Sequence, residues 1–138
     1  MNRRGAEDTE IIQENIFGLE DPDNWGCTVD YYISGHSQLG IRAYNKNLDM
    51  SIKLGFEGVE YFSGAIRWEG ANFRLHSRDE IIKFWINYRP SFQNIVNMVT
   101  ESNMMDTFNW KLYSILTNEG NLIQVIAING GFLDFSHT

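Results

Sequence analysis

The chain has 138 residues, 43% of them hydrophobic and 14% aromatic, which suits one domain of ordinary size with a core that needs no covalent staple. One cysteine, Cys27, excludes an internal disulfide framework. The net charge of −7 is unevenly placed: residues 1–24 carry seven acids against Arg3 and Arg4, whereas the remainder holds 11 acids and nine bases, so neither part offers the basic surface that nucleic-acid binding requires.

The start, MNRRGAEDTEIIQENIF, contains no apolar leader, and no window approaches the ~18 apolar residues of a membrane span. The expectation is a cytoplasmic protein with no membrane contact, forming a single domain over 1–138 with residues 1–6 as a flexible N-terminus. Ile12, Ile16 and Leu19 recur at helical spacing, with acids at the favourable end, so residues 7–18 are expected to form a short helix. The EDPDNWG stretch that follows reads as a turn.

From Cys27 to Leu75 the period changes to two. In LDMSIKLGF, Leu48, Met50, Ile52, Leu54 and Phe56 alternate with wetter residues, which predicts a strand with one buried face. TVDYYIS, LGIRAY, VEYFS, AIRWEG and NFRL read as further strands, with a hairpin turn at YNKN and glycines marking bulges or corners. Short connections favour antiparallel pairing. At HSRDE, Ser77 and Glu80 have the spacing of a capping box. Ile81, Trp85, Tyr88, Phe92, Ile95 and Val99 then trace one apolar face, which predicts a continuous helix kinked at Pro90. FNWKLYSIL and LIQVIAI read as a hairpin around TNEGN, and NGG as a turn into a short last strand, FLDF. The sum is an α+β domain: a curved, mainly antiparallel sheet packed by one long amphipathic, Pro-kinked helix, with a short N-terminal helix.

Few residues suggest chemistry. Gly35, His36, Ser37 and Gln38 fit four positions of the G-x-S-x-G nucleophile elbow, but Leu39 stands where the second glycine belongs and Gly40 comes one residue late. The segment after it alternates like a strand rather than a helix, so a hairpin loop is the expected structure. His36, His76 and His137 lack zinc-ligand spacing, Cys27 reads as a buried small hydrophobe, and Glu57, Glu60 and Glu69 as solvated sheet acids beside Arg67 or Arg74. No catalytic residue, metal site or cofactor is therefore assigned.

The aromatics are less conventional. Tyr31/Tyr32 and Tyr61/Phe62 are adjacent on strands, so one of each pair faces away from its neighbour. Two functions fit. One is a non-enzymatic interaction domain, resembling inhibitor or immunity proteins in format rather than motif, that binds a protein partner or itself through its acidic N-terminal helix and exposed aromatics. The other is a small-molecule-binding or enzymatic domain with an aromatic-lined pocket between sheet and helix. The candidate ligand- or partner-binding residues are Tyr32, Arg42, Tyr61, Arg67, Trp68, Arg74 and His76.

Overall fold

The period-two patterning is realised as ten strands in a computed structural model, which describes residues 11–91, 94 and 109–136. In chain order these are β1 (Ile11–Gln13), β2 (Trp25–Ile33), β3 (Gln38–Asn45), β4 (Met50–Glu57), β5 (Tyr61–Ser63), β6 (Arg67–Glu69) and β7 (Arg74–His76), then helix α1 (Arg78–Tyr88), then β8 (Lys111–Leu116), β9 (Leu122–Ala127) and β10 (Asn129–Ser136). They form two five-stranded sheets, ordered β1-β7-β8-β9-β5 and β10-β4-β3-β2-β6. Every pairing is antiparallel, as the short connections predict.

The expected α+β architecture is overturned: among the described residues the protein is mostly β, and its α-helix has 11 residues. No helix forms in the described part of 7–18; residues 7–10 lie outside it. Ile11–Gln13 instead joins the edge of the first sheet opposite Leu75 and His76. Asn15 and Gly18 then take positive φ values of 46° and 65°, and the Asn15 carboxamide bonds both the N–H and the carbonyl of Leu19, at 3.1 and 3.0 Å. A side chain that satisfies the backbone locally competes with a helix, and here it wins. Ile12, assigned to the apolar helical face, is 62% exposed.

The kinked long helix is also overturned. Its start is as expected, with Ser77 accepting the Glu80 N–H at 3.4 Å. It stops at Tyr88, because the Pro90 ring excludes helical backbone at the residue before it, and Arg89 is extended (φ −135°, ψ 93°). Phe92, Ile95 and Val99 lie outside the described residues.

The two sheets face one another across one core. Leu39, Ile41 and Ala43 of β3 and Ile52, Leu54 and Phe56 of β4 pack with Tyr113 and Ile115 of β8 and Ile123 and Val125 of β9. The alternate residues Leu112 and Ile126 point to the other side of the first sheet, where Ile81 and Trp85 of α1 cover them. The β8–β9 hairpin turns at Thr117–Asn121 as predicted. The expected NGG turn is corrected: Asn129, Gly130 and Gly131 already pair with Glu57, Phe56 and Gly55 inside β10. Ile128 alone separates β9 in one sheet from β10 in the other. Glycine is needed at 130 because a Cβ there would run into the Phe56 ring.

Candidate functional site, an apolar cleft

A cleft of about 380 Å³ opens where β5 and the β2–β3 hairpin diverge. Its making begins with a bulge. Along β2, Trp25, Cys27 and Val29 lie opposite Asn45, Ala43 and Ile41 of β3, and simple alternation would send Tyr31 inward next. The register instead shifts between Val29 and Tyr31, leaving Asp30 as the extra residue. Beyond it Tyr32, opposite buried Leu39, joins Val29 on the lining of the cleft. Tyr31 turns the other way and lays its ring over Gly40, where any Cβ would collide with it.

Val29, Leu39 and Val59 form the floor of the cleft, continuous with the main core. Tyr61 and Phe62 of β5 form one wall, and exposed Tyr32 and Ile66 the lips. The backbone fastens these pieces: Val59 N–H donates to the Ser37 carbonyl (3.0 Å), Glu60 N–H to Ile126 (2.8 Å), and Val29 N–H to Ile66 (2.8 Å). The Tyr61 ring packs edge-on against Phe84 (4.7 Å) and Tyr88 (5.2 Å) of α1, so the wall is braced by the helix. Glu60 is the single carboxylate on the lining.

Of the residues singled out in the sequence, the fold brings Tyr32 and Tyr61 together and disperses the others. Arg42 lies on β3 with Asp30 at 3.7 Å, and Arg67 is exposed on β6 opposite Thr28. Trp68 is buried in the core, its indole N–H donating to the Gly70 carbonyl at 2.9 Å. Arg74 and His76 lie on β7, where His76 Nε2 is 2.6 Å from the buried Ser114 hydroxyl. Sequence reading missed Val29, Leu39, Val59 and Ile66, and noted Phe62 and Glu60 without assigning them to a site. The one available signal was Ile66 itself, an apolar residue stranded just after Gly64, whose φ of +145° breaks the strand.

The serine motif is a hairpin loop. Ser34–His36 form one 3-10 turn between antiparallel β2 and β3, and Ser37 is left-handed (φ 47°) with its N–H on the Ser34 carbonyl. Cys27 is fully buried; burial first, and the Glu69 charge second, push its thiol up to about 12, so it is neutral and unreactive at ordinary pH. Glu57, Glu60 and Glu69 sit in separate places, at the β4 end, the cleft and β6. Among the described residues no group of three or more His, Cys, Asp or Glu converges as a metal site, and no helix is long and apolar enough to cross a membrane. His137 lies outside the described residues. No protein family, curated protein or solved structure matches the chain.

Proposed function

We propose that the protein is a non-catalytic interaction domain, working in the cytoplasm, that binds a basic protein segment through the apolar cleft. The observation that carries this reading is the lining itself: seven apolar or aromatic side chains, two of them exposed lips, and one carboxylate. A metabolite site of this volume has several convergent polar groups to fix orientation; the side chains of this cleft offer Glu60 and the hydroxyls of Tyr32 and Tyr61 against an otherwise apolar lining. Its exposed lips suit a wider contact in which a partner inserts one apolar side chain. Glu60 at the cleft and the net charge of −7 favour lysine or arginine beside that anchor.

Peptide selection from a random phage-displayed library, using the folded protein as bait, tests this reading. Enriched sequences with a Leu, Ile, Phe or Trp anchor flanked by basic residues, shifting the amide signals of Tyr32, Tyr61 and Ile66 on binding, are expected. Enrichment of acidic sequences, signals moving elsewhere, or no enrichment would overturn it.

A further inference from the structure

The opposite end of the same β2–β3 ribbon carries a second cleft of a different character. It measures about 440 Å³ and is lined by Asn24, Gly26, Tyr44, Lys46, Asn47 and Glu69. We propose that it binds a neutral, hydroxyl-rich ligand of sugar size, a function separate from that of the apolar cleft and not dependent on it.

Preorganisation is the first ground. The Asp21 carboxylate beneath the cleft accepts from the side-chain amides of Asn24 (2.7 Å), Asn45 (3.3 Å) and Asn47 (3.4 Å). These bonds, Asn24's foremost, hold Asp21 below the usual carboxylate range, and they fix the amide nitrogens of Asn24 and Asn47. The side-chain oxygens of both asparagines are left as acceptors, unengaged among the described residues. Buried Asn45 stiffens the same turn, its Oδ1 accepting the Leu48 N–H at 3.0 Å.

The second ground is the pairing of these acceptors with an exposed ring. Tyr44 is 45% exposed, and its hydroxyl donates to Asp49 (3.2 Å), which steadies the ring at the cleft. A ring face accepts the C–H face of a pyranose, while amide and carboxylate oxygens accept its hydroxyls. Gly26 adds no side chain to the lining; a Cβ there would stand in ordinary contact, 3.6 Å from a Glu69 carboxylate oxygen.

Charge settles the ligand class. With the Asp21 and Asp49 carboxylates beside Lys46 and Glu69, acids outnumber the base, which disfavours a phosphate, and among the described residues no three of them converge as a metal site. Lys46 contributes donors, Glu69 and the asparagines acceptors, as a neutral polyol requires.

The test is a titration of the whole chain, followed by NMR, with methyl glycosides of glucose, galactose and mannose, and with maltose and cellobiose. At least one of these is expected to shift the signals of Gly26, Tyr44 and Asn47 at millimolar concentration. Tyr44→Ala is expected to weaken that binding roughly tenfold, Tyr44→Phe to retain it, and Tyr32→Ala, in the other cleft, to leave it unchanged. If no probe shifts those signals, if Tyr44→Ala binds as the wild type does, or if the shifts map to Tyr32 and Tyr61, the proposal is overturned.

Discussion

His76 Nε2 and Ser114 Oγ lie 2.6 Å apart across the β7–β8 pair. That spacing would suit a nucleophile and its base, but Ser114 is fully buried in the middle of a strand, where no substrate reaches it. The contact is structural: it satisfies a hydroxyl that burial has removed from water. Ser114→Ala is expected to lower stability by about 1–3 kcal/mol, read as a lower urea midpoint with an unchanged slope. An unchanged midpoint would show that the bond adds nothing.

Gly40 and Tyr31 face each other across β2 and β3, and the tyrosine ring occupies the space that a Cβ at position 40 would need. Gly40→Ala is therefore expected to cost about 1–3 kcal/mol through overpacking. Removing the ring as well should relieve part of that cost, so Tyr31→Ala/Gly40→Ala will be less destabilised than the two single effects added together. Strict additivity in denaturant melts would contradict the contact.

Alkaline pH provides a third test. Burial, with a lesser contribution from Glu69, raises the Cys27 thiol to about 12, and burial raises the Tyr113 hydroxyl to about 12. In the unfolded chain they ionise near about 8.5 and 10. Above those values the unfolded state has lost protons that the folded state keeps, so stability falls as pH rises from about 9 towards 12. Cys27→Ala and Tyr113→Phe are each expected to flatten that decline in melts taken across this range. At pH 8 a thiol reagent should label Cys27 only as fast as the chain opens; rapid labelling of the folded protein would refute its burial.

The cap of α1 is the fourth. Ser77→Ala removes the acceptor for the Glu80 N–H and is expected to cost about 0.5–2 kcal/mol. Since Ile81 and Trp85 of α1 cover the outer face of the first sheet, and Tyr61 leans on Phe84, loosening the helix should also move the Tyr61 signals in the cleft. A loss of stability without any change at Tyr61 would separate the helix from the cleft.

The strands were legible because alternation is a short-range property of half-buried sheet: LDMSIKLGF buries Ile52, Leu54 and Phe56, as its period implies. The helices were less legible, for two physical reasons. Apolar residues at i and i+4 also suit a segment such as 11–19, where β-pairing, two left-handed residues and the Asn15 carboxamide decide the outcome. The residue before Pro90 had no helical option, whatever the apolar spacing beyond it. For the cleft, Tyr32 and Tyr61 were named from their adjacency to other aromatics. What places Tyr32 beside Val29 is a bulge at Asp30, where no glycine marks the break. That the chain changes sheets at Ile128 had no local signature either; NGG reads as a turn and is in fact a strand that must pass close over Phe56.

The most direct measurement is calorimetric titration of one selected basic peptide into the wild-type protein and into Ile66→Asp. Ile66 is 69% exposed, so its replacement leaves the core alone while placing a charge on the lip of the cleft. An apolar anchor seated in the cleft predicts at least a roughly tenfold loss of affinity in the variant, with its melting temperature unchanged. Equal affinity for the two proteins would mean that the cleft is not where a partner binds.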